Sequence, residues 1–276
     1  EIPLMRQFWL ARKPKKKVAL YPVVDRERKR VDFVIVRQEK GKWKMENGRI
    51  SSNLQPPTSN LQLPISNFHP EQGTVRRARV TCPVCGAGMD AKTLRREFRQ
   101  GRSGQRMVAV VLHHPKRTGK TYRVATEADV EVFRCAGAAL EVRRSRGAEE
   151  QGSTSAPLHP GTSAQALSPV PDEPLPPIGT LGFRVQRYGL LRWGDLFNPR
   201  QKLALVTFVD KVRRAHEQML AQGYEPEYAK AVVTYLALGV DRLADYDSAL
   251  CVWHTPKELV AHTFGRQALP MIWDYT

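Results

Sequence analysis

Cysteine is scarce, with four in 276 residues at Cys82, Cys85, Cys135 and Cys251. Their spacing gives no disulfide framework. This excludes the disulfide-scaffolded secreted class and points to a reducing, cytoplasmic setting. No stretch approaches the ~20 apolar residues of a membrane span, and nothing at the start is built like a signal peptide. Catalytic signatures are missing as well. Gly119-Lys120-Thr121 has His114 where a phosphate loop needs its first glycine, and it runs into a strand rather than a helix N-terminus. His113 and His114 are adjacent in a strand and point to opposite faces, so they read as ordinary histidines. No triad, acid/base pair, Asp-x-Phe-x-Gly-x-Gly cofactor loop or Asp-Pro-Pro-Tyr motif is present.

Positive charge is abundant and lies on one side of the chain. Residues 1–150 hold 32 Lys/Arg against 15 Asp/Glu, whereas residues 151–276 hold 12 of each. The whole net charge of +17 therefore belongs to the first part. A basic segment joined to a neutral one suggests a polyanionic partner, nucleic acid being the commonest; a merely well-solvated basic surface is the alternative. Val18–Val24 and Val31–Arg37 read as strands flanking a solvated turn at Arg26–Arg30. Residues 47–72 contain two near-copies of Ser-Asn-Leu-Gln with prolines, which reads as a disordered insert in a hairpin loop.

Order is expected to resume at Gly73. Val75 to Thr81 reads as one basic strand leading into Cys82-Pro83-Val84-Cys85-Gly86. A tight Cys-x-x-Cys turn ending in glycine is a zinc knuckle, able to supply two of four tetrahedral Zn2+ ligands. A redox pair needs its first cysteine at a helix N-terminus, and Gly86-Ala87-Gly88 follows instead; unpaired structural cysteines are the remaining alternative. The chain opens on Glu1, so the expectation is a piece of something longer, with the second knuckle just upstream. Asp90 is the expected N-cap of a short helix ending at Gly101, and Lys92, Arg95, Arg96 and Arg99 share one of its faces. Together with Arg76, Arg77 and Arg79 they are the candidate nucleic-acid-binding residues, the nucleic acid being DNA in the resemblance given below.

Met107–Leu112 and Tyr122–Val124 read as a second hairpin, and Thr126 with Asp129 caps a helix to about Arg144. This gives a basic β domain over residues 1–146, a Pro/Ser-rich linker over 147–178, and a helical segment over 179–276. In the helical segment Asn198-Pro199 starts one helix and Gly223 stops it. Pro226 starts the next, whose Ala231–Val240 is apolar almost all round and so is expected to be a buried central helix. Thr255-Pro256-Lys257-Glu258 reads as a capping box opening a third helix that Gly265 closes. The carboxylates of Asp241–Asp247 read as a helix end with local Arg pairing. Trp193, Tyr246, Trp253, Phe264, Trp273 and Tyr275 read as core.

Several of these stretches carry a resemblance. Residues 1–12 (Glu-Ile-Pro-Leu-Met-Arg-Gln-Phe-Trp-Leu-Ala-Arg) and 73–86 resemble the segments around the second knuckle of adenine-specific DNA methylases that contain a zinc ribbon. Residues 235–246 and 263–275, with Phe-Gly-Arg-Gln-Ala-Leu-Pro-Met, are similar to the helical region beyond it. The resemblance implies the central part of an enzyme that uses S-adenosylmethionine to methylate the exocyclic amine of adenine in DNA. The cofactor loop would lie upstream and the base-binding motif downstream. It carries over only Cys82 and Cys85, as zinc ligands, and it makes the remainder of the methyltransferase chain a partner. The expected fold class is then α+β: a zinc-ribbon-like β domain with short helices, a Pro-rich linker, and an all-helical segment belonging to a larger α/β methyltransferase. The alternative is a zinc-ribbon adaptor that binds nucleic acid without catalysis.

Overall fold

Val31 to Val36 is buried at every position, including Asp32, the pattern of a strand covered on both faces. In the computed structural model, which describes residues 1–46, 65–77, 79–116, 118–150 and 170–265, this run is the third strand of a four-stranded antiparallel meander. Its strands are β1 (Trp9–Lys13), β2 (Lys16–Asp25), β3 (Arg30–Glu39) and β4 (Lys42–Met45). On one face Phe33, Ile35, Leu10, Val18 and Leu20 form the main core, closed by Tyr122, Val124 and Trp253. On the other, Trp9, Ala19, Val34 and Val36 are covered by Trp43, Ile65 and Phe68. Burying Phe33 alone contributes about 2–3 kcal/mol.

Three smaller sheets and four α-helices follow among the described residues, so the chain is a mixed α+β protein with small antiparallel sheets. A three-stranded sheet holds β5 (Val75–Arg76), β6 (Arg79–Thr81) and β7 (Gly88–Met89), with α1 (Ala91–Arg99) after it. The expected second hairpin is β8 (Ala109–His113) with β9 (Lys120–Val124). Then come α2 (Glu127–Glu150), α3 (Pro199–Ala221), α4 (Pro226–Tyr246), and a short hairpin of β10 (Trp253–His254) and β11 (Leu259–Val260). The helix starts follow their caps. Asn198 and Gln201 bond each other's backbone N–H at 3.0 and 2.9 Å, and the Asp129 carboxylate accepts the Thr126 N–H at 2.7 Å.

The structure corrects several expectations. Residues 47–64 of the insert lie outside the described residues, but its end is packed: Phe68 stands 5.0 Å from Tyr21 and 5.6 Å from Trp43, ring to ring. A loop that carries an aromatic can close a sheet face despite its composition. The helix expected to stop near Arg144 runs to Glu150, past the expected boundary at 146. Residues 151–169 lie outside the described residues, yet the end of the presumed linker is built in, with Leu175 buried beside Phe183, Val185, Leu196 and Leu250.

The helix expected to be buried is open. Along α4, Tyr235 is 78 % exposed and Leu238 57 %, because α3 packs on one side of the helix and leaves these positions uncovered. The third helix does not form. Residues 253–260 make the β10–β11 hairpin instead, and a single 3-10 turn spans Thr263–Gly265. Trp273 and Tyr275 lie outside the described residues, whereas Trp253 is core as expected.

Tertiary contact overrides the capping box. Glu258 is 3 % exposed, and its carboxylate takes ion pairs from Lys13 and Lys16 and the Tyr122 hydroxyl at 2.6 Å. It holds this position at φ +54, a conformation uphill for any residue with a Cβ. Beside it the Trp253 indole donates to the Leu10 carbonyl at 2.7 Å, and the Arg12 N–H to the Thr255 carbonyl at 3.1 Å. The hairpin is thus fastened to the first sheet from the far end of the chain.

Burial alone would raise the Glu258 carboxyl. The hydrogen bonds from Lys13, Lys16 and Tyr122 outweigh it and hold the group below the usual carboxylate range. The Arg123 guanidinium, gripping both oxygens of Asp129 at 2.5 and 2.7 Å, holds that carboxyl far lower still. Both folded pKa values are depressed, so their stabilisation is complete above the unfolded carboxylate pKa of about 4 and is lost as pH falls through the folded values. The melting temperature should therefore hold steady from about pH 7 to 5 and drop below about pH 4. Glu258→Gln should cost about 2 kcal/mol at neutral pH, since it leaves two lysines without their anion. It should also flatten the acid limb, as read by thermal melts across a pH series.

Candidate nucleic-acid interface and metal half-site

Gly73 sets where the small sheet begins. A Cβ there would lie 2.0 Å from the Met5 carbonyl oxygen, so only glycine lets the two backbones pass. Thr74 then accepts the Met5 N–H at 2.9 Å, and the Val75 N–H donates to the Met5 carbonyl at 2.9 Å. What reads as a single strand from 75 to 81 is two strands, turning through Arg77 at φ +47. Without Gly or Asn at that position, the sequence carries no turn signature.

The fold of this hairpin sorts its side chains. Val75 and Val80 pair across it and point inward onto Leu94. Arg76 and Arg79 pair directly opposite one another and point out, and Arg77 is exposed at the turn. Like charges facing across a ladder destabilise it by up to about 1 kcal/mol. No carboxylate among the described residues comes within ion-pair distance of any of these three arginines.

Strand β6 runs into Cys82. The Gly86 N–H donates to the Cys82 carbonyl at 2.8 Å and the Cys82 N–H to the Ala87 carbonyl at 2.9 Å, closing a tight loop with Gly86 at φ +75. The chain then returns as β7, with Gly88 opposite Thr81. Backbone N–H groups of Cys85 and Val84 point at the Cys82 sulfur and, against partial burial, draw its thiol below the usual range. Cys82 is buried and Cys85 exposed. A sulfur whose ionised form is favoured inside a closed loop suits a Zn2+ ligand, with Cys85 as the second. Among the described residues no cluster of three or more His, Cys, Asp or Glu side chains could hold a metal ion, so Cys82 and Cys85 would by themselves supply only two ligands.

Helix α1 follows with the expected cap, Asp90 accepting the Thr93 N–H at 2.8 Å. Lys92, Arg96 and Arg99 are exposed on it. Arg95, expected on the same open face, is half-buried, with its guanidinium 5.8 Å above the Tyr188 ring. Tyr188 also packs edge-on against Phe98 at 5.4 Å. Arg95 therefore braces the sheet against the segment Val185–Tyr188; Arg96 pairs with Glu97 at 3.5 Å, and Lys92 and Arg99 are in no ion pair among the described residues. The hairpin arginines and the basic side of α1 flank the knuckle within one short stretch of chain.

A second polar cluster escaped the sequence. His262 takes Asp245 at 2.6 Å through Nδ1 and Tyr246 at 3.0 Å through Nε2, with Arg242 donating to the Tyr246 hydroxyl at 2.8 Å. It ties the end of α4 to the residues after β11, and no spacing rule connects 245 with 262. Compared with known protein families, curated proteins and solved structures, the chain shows no match.

Cobalt(II) titration checks the half-site. The chain should give a thiolate-to-cobalt absorption, with weak affinity and release of protons, because only two of four ligands are present. Cys82→Ser and Cys85→Ser should each abolish it, whereas Cys135→Ser should not.

Proposed function

We propose that this chain is the central part of an S-adenosylmethionine-dependent DNA adenine-N6 methyltransferase, and that residues 73–99 form its DNA-contacting zinc ribbon. The observation that carries the DNA reading is the Arg76/Arg79 pair, held face to face beside a thiolate-ready knuckle and supplied with no anion. A phosphate backbone relieves that repulsion and neutralises Arg77, Lys92, Arg96 and Arg99 with it. Zn2+ would be held by Cys82 and Cys85 together with two ligands from the preceding part of the enzyme, and it would fix the hairpin's position. The methyl-transfer part of the proposal comes from the resemblance of residues 1–12, 73–86, 235–246 and 263–275. In that reading S-adenosylmethionine binds the remainder of the methyltransferase chain, and no residue here is assigned to it. The open side of α4 offers that remainder an apolar face in Tyr235, Leu236 and Leu238. No helix among the described residues is long and apolar enough to cross a membrane.

One observation favours a second reading, a non-catalytic adaptor. Trp253 from beyond the helices completes the core of the first sheet, so the basic and neutral parts share one core.

Binding to duplex DNA across a salt series tests the interface. Arg76→Gln/Arg79→Gln should weaken binding equally for unrelated sequences and lower the slope of log K against log salt by about 2. Unchanged slope would remove the hairpin from the interface. Adenine methylation by the polypeptide carrying this chain, lost in Cys82→Ser, supports the enzyme; DNA binding with no methylation at all supports the adaptor.

A further inference from the structure

The end of the first sheet away from the knuckle is also cationic. In an up-and-down meander the β1–β2 turn and the β3–β4 turn emerge at the same end, with only the β2–β3 pair between them. Across the ladder Lys13 faces Lys16, Arg12 faces Lys17, and Arg37 faces Lys44, three like-charged pairs in adjoining rows. Acids answer part of this charge: Glu258 takes Lys13 and Lys16, Glu46 takes Arg37, and Glu39 takes Lys44 at 3.0 Å. Arg12, Lys15, Lys17, Lys40 and Lys42 are exposed, and among the described residues none of them is in an ion pair.

The backbone shows the same preference. Lys40 stands at φ +47 before Gly41 at φ +80, in a two-residue turn where asparagine-glycine is the relaxed choice. Four described non-glycine residues have positive φ, and three of them, Lys29, Lys40 and Arg77, are cations at hairpin turns. Each accepts local strain of about 1 kcal/mol to hold a positive charge at a tip. Strand β2 is ten residues long, about 33 Å. The small sheet joins the chain at Met5 and Arg6, before β1 begins, so the lysine end lies at the opposite end of the meander.

We propose that this lysine end is a second phosphate-contacting surface for duplex DNA, additional to the arginine hairpin. The proposal rests on the reading of the chain as DNA-binding. Lysine ammonium groups on two turns suit point contacts to phosphates and read no base. A bilayer would ask for an exposed aromatic at the tips, and Trp43 is instead packed 5.6 Å from both Trp9 and Phe68.

The test compares two variants of the whole chain on duplex DNA of unrelated sequences. One replaces Lys15, Lys17, Lys40 and Lys42 by Gln; the other is Arg76→Gln/Arg79→Gln. The lysine variant should melt like the parent, bind all sequences more weakly, and show a salt slope lower by about 4. If it keeps the parent slope while the arginine variant loses it, the second surface is overturned and the ribbon reading stands. If only the lysine variant loses binding, the lysine surface stands and the ribbon reading falls. If neither changes the slope, both fall. Lysine-dependent capture by phosphatidylserine vesicles without lysine-dependent DNA binding overturns the proposal in favour of a membrane surface.

Discussion

A buried carboxylate near one end of the chain neutralises two lysines near the other, and the main core depends on that attachment. Glu258 joins Lys13, Lys16 and Tyr122, and the same hairpin inserts Trp253 under β1 through the Leu10 carbonyl. Taking an ion out of water is costly, so such a site persists only when each oxygen is answered. Here two ammonium groups and a phenol answer them. With the hairpin in place, the meander has a covered face, and β8–β9 can lie beside it.

On that frame the small sheet has its own logic. Gly73 allows the chain to cross Met5, Thr74 ties the two backbones, and the hairpin then has one face for Leu94 and one for solvent. The outward face carries Arg76 and Arg79 with Thr81. Arg76 and Arg79 gain nothing from their own fold and repel one another across the ladder. The knuckle next to it is preorganised by backbone N–H groups, so a metal there would bind a loop already in shape.

Local signatures were legible where the physics is local. Asp90, Asn198-Pro199 and Gly223 act within a turn of helix, and each does what its position predicts. The β2–β3 pairing and the tight loop at Cys82–Gly86 were readable for the same reason: alternation and Cys-x-x-Cys-Gly are short patterns. What failed was set at long range. Thr255-Pro256-Lys257-Glu258 has the form of a helix start, but its glutamate is claimed by residues more than 240 positions away. Ala231–Val240 is apolar enough for burial, and only the packing of α3 decides how much of it is covered. The split of 75–81 into a hairpin escaped because an arginine occupies a turn position that normally announces itself with glycine. Among the candidate residues, the packing of Arg95 was not legible, since its aromatic partner Tyr188 lies in a segment with no periodic pattern.

The distance along the chain between Lys16 and Glu258 also bears on synthesis. At about 5–20 residues per second, the ribosome takes on the order of ten seconds or more to reach the hairpin after completing β1 and β2. Through that interval Leu10, Val18, Leu20 and Phe33 have no Trp253 above them. The nascent meander therefore exposes an apolar face until the hairpin has been synthesised, and a chaperone that shelters it would act on these strands, not on the helices.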